Sequence, residues 1–185
     1  MTRYVFKTAE TGEEFQSLRR LNHRIFAEEV GQHEARPDGV LIDPFEDKSR
    51  FTIAVHQGSV VGMVCVHDEP PFSVEKKLSD RAVLESLARP LLEVRLLAID
   101  PEHRNRMVLA GLLGNMVEEA FAAGYGTLLI SALADRMEMY ERFGFSALGP
   151  PVESGSAIFV PMALKLSELP RQMLTDIARW RRRRP

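Results

Sequence analysis

The sequence predicts an α/β fold with a mixed central sheet flanked by helices and a helix at the C-terminal end. Three observations predict it. Leu91–Gly126 reads as strand, turn and helix in succession. Phe51–Val66 holds two short apolar runs around the turn His56-Gln57-Gly58-Ser59, the pattern of a β-hairpin. Beyond Gly126 strands and a helix alternate again, and such alternation builds layered α/β folds.

The elements follow in order. Tyr4-Val5-Phe6 is a short strand. Thr11 and Glu14 match a capping box, with Thr11 as N-cap and Glu14 three residues on. The helix they open carries Phe15, Leu18, Leu21, Ile25 and Phe26 and ends near Gly31. Pro37, Gly39 and Pro44 mark a loop from Gln32 to Asp47. Phe51–Val55 and Val60–Val66 form the hairpin, closed by Glu69-Pro70-Pro71. Residues 72–90 are polar, with a short helix over 75–87. In the central segment an apolar run from Leu91 to Ile99 stops at Asp100-Pro101, because proline cannot donate to a sheet ladder. After it, Val108, Leu109, Leu112, Leu113, Met116, Val117, Ala120 and Phe121 recur at helical spacing. Gly124 and Gly126 stand where that helix would stop. Thr127–Ser131 is a short buried strand and Ala134–Phe143 a short helix. Phe145–Leu148 and Ala157–Met162 make a final strand pair. Leu169–Arg182 is a terminal helix with Pro170 in its first turn, where proline is tolerated.

No internal repeat or interdomain linker interrupts residues 1–185, which read as a single domain, with the terminal helix and a basic tail over 167–185. A chain of 185 residues at 45% hydrophobic is long enough for one substantial core. The net charge of −2 argues against a dedicated nucleic-acid binder. One cysteine, Cys65, excludes an intramolecular disulfide and, inside an apolar strand, reads as a small core residue. No apolar run reaches membrane-span length, and the N-terminus turns polar too soon for a signal peptide, so the expected compartment is the cytoplasm. The five histidines lack metal-ligand spacing, and no metal is expected. Trp180–Arg184 reads as the solubilising end of a helix, where cations are favoured, against a surface for anionic partners.

Chemistry concentrates in the central segment. The turn His103-Arg104-Asn105-Arg106 sets cations and unpaired backbone N–H groups at a helix start, an arrangement suited to an anion. Arginines there are unfavourable without one, because the helix dipole prefers negative charge. Glu93 interrupts an apolar strand. A buried carboxylate must be paired or face a cleft, and burial would raise its pKa toward that of a general base. The competing reading is a salt bridge with Arg95, two residues on along the same strand face.

The strand, the turn beginning at Arg104 and the following helix resemble the coenzyme-binding segment of the GCN5-related N-acetyltransferase (GNAT) superfamily, whose turn reads Arg/Gln-x-x-Gly-x-Gly/Ala. Here Met107 and Leu109 stand at the two small positions. Tyr140-Glu141-Arg142-Phe143-Gly144-Phe145 resembles the superfamily's Tyr-x-x-x-Gly-Phe segment. Arg24-Ile25-Phe26-Ala27-Glu28-Glu29, followed by Asp43-Pro44-Phe45-Glu46, is similar to the Arg-x-x-Phe … Asp-x-x-Asp pattern of acyl-homoserine-lactone synthases and the related N-acyl amino acid synthases. In those families Glu93 would match a strand glutamate, while Leu96 stands where an arginine is usual. The chain also resembles acyltransferase domains fused to class V aminotransferases.

The resemblance implies a GNAT-like fold and an N-acyltransferase moving an acyl group from a thioester to a small-molecule amine. The co-substrate would be acetyl-CoA or acyl-CoA, or the acyl-phosphopantetheine of an acyl carrier protein. It implies Glu93 as base and Tyr140 as acid, the latter against a plain packing role. Donor contacts would come from Leu97, Ala98, Ile99, Arg104, Asn105, Arg106, Met107, Val108, Leu109 and Ala110, and acceptor contacts from Arg24, Phe26 and Glu29. The bulk of Met107 and Leu109 leaves three readings open: a donor with a single phosphate, a shifted coenzyme A, or an inactive site. The alternative function is a non-catalytic acyl-CoA-sensing or interaction module. Expected partners are the amine and an acyl carrier protein, with no nucleic acid and no membrane span; a homodimer is left open.

Overall fold

The computed structural model describes residues 4–182 and shows a mixed α/β fold. These residues divide into two compact units, one formed by residues 4–66 and Leu96–Val117, the other by His67–Arg95 and residues 118–182.

The first unit opens with β1 (Val5–Thr8). Then comes α1 (Gly12–Asn22), whose capping box is formed as expected: Glu14 N–H donates to Thr11 Oγ1 at 3.2 Å and Thr11 N–H to Glu14 Oε2 at 3.1 Å. The Glu10 N–H, which donates to Glu14 Oε2 at 2.9 Å, together with Lys7 and the Thr11 N–H, pulls the Glu14 pKa down to about 2. α1 does not simply run on to Gly31. It passes into seven residues of π-helix, His23–Glu29, and such wide turns concentrate at functional positions. β2 (Arg50–His56) and β3 (Ser59–His67) form the expected hairpin, with β1 antiparallel to β2. The core of this unit packs Leu18, Leu21, Ile25 and Phe26 against Phe51, Ile53, Met63 and Cys65, so Cys65 is the small core residue anticipated.

β4 (Leu91–Ile99) runs through both units, with Leu91–Arg95 in the second and Leu96–Ile99 in the first. Leu96 has φ +50°, a left-handed conformation that is strained for a branched-chain residue inside a strand. α2 (Arg106–Ala122) follows. Its Gly111 is required by packing, because a Cβ there would lie 2.1 Å from the Phe6 ring.

The second unit is built on β5 (Thr127–Leu133) and β8 (Ala157–Lys165). β5 pairs with β4 in parallel from Leu91↔Thr127 to Glu93↔Leu129, and with β8 antiparallel along its whole length. α3 (Met137–Arg142) is preceded by a 3-10 turn over Ala134–Arg136. β6 (Ser146–Ala147) and β7 (Val152–Ser154) both pair with β8. β7 was not foreseen; three residues lie below the length at which periodicity declares a strand. The helix expected over 75–87 is instead two 3-10 turns, Ser73–Lys77 and Arg81–Ser86. They are held by an apolar cluster in which Phe72, Val74 and Leu84 meet Leu91, Leu129 and Ala163. α4 (Arg171–Arg182) is the terminal helix. Of the Trp180–Arg184 stretch, residues 183–184 and all five side chains lie outside what the structure describes. Among the described residues no helix is long and apolar enough to cross a membrane.

Gly126 is the tightest point of the second unit. Its N–H donates to Pro90 O at 2.8 Å, and its carbonyl accepts from Leu166 N–H at 2.9 Å. A Cβ there would meet Ala88 O at 2.6 Å and Arg89 O at 2.8 Å, both backbone atoms that cannot step aside. Gly126→Ala should therefore destabilise the protein by about 1–3 kcal/mol, read as a lower Tm in calorimetry. An unchanged Tm would show that residues 88–90 are not fixed there.

Candidate functional site

In the second unit Glu93 is wholly buried, and its two oxygens meet four donors. Oε2 accepts from His67 Nε2–H at 2.8 Å and from Ser73 N–H at 2.7 Å. Oε1 accepts from Ser73 Oγ–H at 2.8 Å and from Val74 N–H at 2.7 Å. Arg95 lies 3.9 Å from Oε2, so the salt bridge weighed from sequence is formed, and Arg95 Nε–H also donates to Ser73 Oγ at 3.0 Å. A carboxylate has about four lone-pair sites, and here each has a donor. The other imidazole nitrogen of His67, Nδ1, faces Glu69 O at 3.1 Å. Both ring nitrogens thus face acceptors, and both bonds form only when both carry a proton.

The expectation that burial raises the Glu93 pKa is corrected. Burial does push it up, but the bonds from His67 and Ser73 and the charge of Arg95 outweigh it and hold the carboxyl below its usual range. To accept a proton from a substrate, Glu93 would first have to lose a donor. His67 and Ser73 were not singled out from sequence, since they lie 26 and 20 residues from Glu93 with no spacing rule to connect them.

Tyr140 stands on α3, its ring edge-on to Phe143 and Phe145. Burial raises its pKa, with Arg136 opposing and Asp135 adding, so the phenol keeps its proton. Among the described residues no hydrogen bond joins it to Glu93. A cavity of about 500 Å³ in this unit, lined by residues including Phe72, Glu75, Arg81, Leu84 and Arg89, contains none of the sequence-predicted site residues.

The arginine turn lies in the first unit. Asn105 Oδ1 accepts from Met107 N–H at 3.0 Å and from Val108 N–H at 3.1 Å, making Asn105 the N-cap of α2. Asn105 N–H donates to His103 O, and Leu109 N–H to Asn105 O. The expectation of unpaired N–H groups at this turn is corrected accordingly: an asparagine side chain already takes two of them. Arg104 is exposed but paired. Its Nη2 meets Glu29 Oε2 at 2.6 Å and its Nε–H donates to Ile99 O at 3.1 Å. Arg106 is exposed, and so is Met107. Asn105 Nδ2–H donates to Tyr4 Oη at 3.2 Å, and Tyr4 Oη–H in turn reaches His103 Nδ1 at 3.1 Å. The His56 ring centre lies 4.9 Å from those of both Tyr4 and His103, tilted against each.

The π-helix delivers two of the three expected acceptor contacts to this turn. Arg24 pairs with Asp100 and Glu29 with Arg104, so both charges that flank the turn are matched. Phe26 points elsewhere, into the core of the first unit. Asp43 is buried, and Glu46 pairs with Arg19, whose Nε–H donates at 3.1 Å.

The fold is that of an acyltransferase family. The profile of the acetyltransferase (GNAT) family matches residues 15–145, and the chain belongs to that family. No curated protein matches the sequence. Among solved structures, the fold is similar to the acyl-homoserine-lactone synthase LasI, with TM-score 0.72, 16% identity and coverage of 90% of this chain and 91% of that one. It is similar to BjaI, a CoA-dependent acyl-homoserine lactone synthase determined with SAM and isopentyl-CoA, with TM-score 0.75, 17% identity and coverage of 96% and 90%. It is also similar to FeeM, an N-acyl amino acid synthase from uncultured soil microbes, with TM-score 0.71, 18% identity and coverage of 91% and 93%.

Glu93→Gln separates a structural from a catalytic carboxylate. An amide turns an –NH₂ toward donors that need an acceptor, and breaking such a buried set costs about 3–5 kcal/mol. Tm should fall by on the order of 10 °C. Because the folded pKa is depressed, Glu93 contributes stability above its unfolded pKa and loses it as pH falls through the folded one. The acid limb of the stability–pH curve should flatten in the variant. An unchanged Tm and acid limb would return Glu93 to the role of a free base.

Proposed function

We propose that the protein is an N-acyltransferase that moves an acyl group from a thioester to a small-molecule amine, with residues 1–185 acting as one catalytic domain in the cytoplasm. The observation that carries this reading is the segment from β4 to α2: a strand with a strained residue at Leu96, then a turn with Arg104 and Arg106 at a helix start. Backbone N–H groups at Leu97, Ala98 and Ile99 would polarise the thioester carbonyl as negative charge grows on its oxygen. The turn from Arg104 to Ala110 would hold the donor's phosphate. Tyr140, kept protonated by burial, would give its proton to the departing sulfur. Glu93 enters as the group that positions His67, Ser73 and Arg95. Arg24 and Glu29 would meet the acceptor once their ion pairs open.

The residues at the turn fit a single phosphate better than a pyrophosphate. Met107 and Leu109 carry bulk where the superfamily has small residues, and Asn105 occupies two N–H groups. An acyl-phosphopantetheine on a carrier protein presents one phosphate. The acyl-carrier-protein thioester should therefore turn over faster than the matching acyl-CoA in a thiol-release assay, and equal or inverted rates would remove the carrier protein from this reading. Replacing Arg104 and Arg106 together by Ala should weaken donor binding by more than about tenfold, since hydrogen bonds to charged groups contribute about 1.5–3 kcal/mol each. Calorimetry with unchanged donor affinity would move the donor site elsewhere.

Tyr140→Phe removes one proton and little volume. General acids contribute about 10²–10⁴-fold, and kcat at saturating donor should fall on that scale with donor affinity intact. The alkaline limb of the pH–rate profile should disappear with it. A wild-type rate would leave Tyr140 as packing for Phe143 and Phe145.

A further inference from the structure

The charges that flank the arginine turn arrive from a helix of unusual pitch. In the π-helix His23–Glu29 of the first unit, residues five apart share an environment. His23 Nδ1 meets Glu28 Oε1 at 3.1 Å. Arg24 and Glu29 both reach the turn that follows β4, the first on Asp100 and the second on Arg104. Ile25 and Val30 both pack in the core of the unit, and Val30 N–H donates to Ile25 O at 2.8 Å. An α-helix advances about 100° per residue, which sets positions five apart about 140° from each other around the axis. Its side-chain neighbours are three and four apart. A π turn closes on the fifth residue and brings such pairs together. In that form the segment carries Arg24 to Asp100 and Glu29 to Arg104 at once; rewound as α-helix, it would turn one of the two away.

His23 is placed to hold this form. The ring is buried, and its Nε2 accepts the Arg36 N–H at 2.7 Å. A ring nitrogen that accepts carries no proton, so the proton of the neutral imidazole sits on Nδ1 and is donated to Glu28 Oε1. Both nitrogens are thus used, one along the helix and one on the loop that follows it. The bond to Glu28 spans one π turn. Rewinding the segment as α-helix would part the two and leave a buried N–H without its acceptor, which is costly. The same rewinding would carry Glu29 off Arg104, whose Nη2 it holds at 2.6 Å.

We infer that His23 is a positioning residue for the donor turn: stapled to Glu28, it holds the helix in π form, and that form keeps Glu29 on Arg104. The inference rests on the reading that Arg104 takes the donor's phosphate. On that reading Glu29 and the phosphate compete for one guanidinium, and His23, which touches neither, sets how firmly Glu29 competes. A helix that lets Glu29 go binds the same donor more tightly.

The test is calorimetry of coenzyme A on the intact protein, with thermal melts to confirm that each variant folds. Glu29→Ala should tighten binding about two- to fivefold, the scale of one exposed ion pair. His23→Gln keeps an acceptor for the Arg36 N–H and loses the bond to Glu28. It removes no charge, yet it should tighten binding to the same extent, a gain that mere loss of stability does not produce. In the Glu29→Ala background it should add nothing. His23→Asn puts an amide N–H where Nδ1–H stands and should restore the wild-type affinity. Wild-type affinity in His23→Gln beside a tighter Glu29→Ala, a gain that adds to that of Glu29→Ala, or equal affinities for His23→Asn and His23→Gln would each overturn the positioning role. A second series reads the helix without the donor. Arg24→His with Glu29→His sets two imidazoles five residues apart, a pair that can share one metal ion across a π turn as residues four apart do on an α-helix. Ni²⁺ should bind this double variant at least tenfold tighter than either single one, and Glu28→Ala should erase the gain. No gain, or a gain that survives Glu28→Ala, would overturn the staple. If no variant binds coenzyme A, the donor-turn reading falls and the nickel series alone decides whether His23 and Glu28 hold the helix.

Discussion

A carboxylate taken out of water must be answered by donors, and Glu93 is answered by four, with an arginine close behind. Desolvating such a group costs several kcal/mol on its own. That cost is offset only while His67, Ser73 and Val74 hold their positions, so the carboxylate dictates the path of the chain after β3. Two of the four donors are backbone N–H groups of consecutive residues, Ser73 and Val74. They fix the 3-10 turn directly over β4. The apolar cluster of Phe72, Val74, Leu84 and Leu129 then forms around a backbone already held in place. Removing the charge would leave an apolar layer without the bonds that set its register.

The arginine turn is organised on the opposite principle. There the charges are exposed or half-exposed and paired across the first unit, Arg24 with Asp100 and Arg104 with Glu29. Ion pairs of this kind contribute little to stability, typically about 0–1 kcal/mol. They are easily exchanged for a ligand's charges, and the π-helix that presents Arg24 and Glu29 is a geometry proteins rarely keep without use. The buried carboxylate belongs to the second unit and the exposed charge pairs to the first.

Much of this was legible in the sequence. The hairpin, β4, α2, β5 and the capping box of α1 followed from period and cap chemistry, since each is long or carries its own punctuation. What could not be read depended on long-range pairing. Glu93 announced that it needed a partner, but nothing in the chain pointed to His67 or Ser73. The direction of its pKa was misjudged because burial is visible in an apolar run and donors from a distant segment are not. Asn105 was read as part of an open anion turn; its side chain caps the helix instead, a choice that depends on local rotamer and not on residue type alone. Phe26, read from a motif as an acceptor contact, packs in the core, where the apolar spacing of the helix also placed it. β7 and the two 3-10 turns are too short for any periodic signal.

The Asn105 cap has a kinetic side. A helix start whose N–H groups are already bonded to a tethered oxygen behaves as a receptor with its own competitor attached. The competitor's effective concentration is set by a single side-chain torsion and never diluted. An anion arriving alone must displace it and gains only the difference between two similar bonds. On the proposed donor site, free phosphate and other stray anions would thereby be screened out at ordinary concentrations. A phosphate delivered on a longer molecule gripped elsewhere competes on equal terms, because it too arrives tethered. On that reading the turn would respond to how an anion is carried rather than to the anion itself.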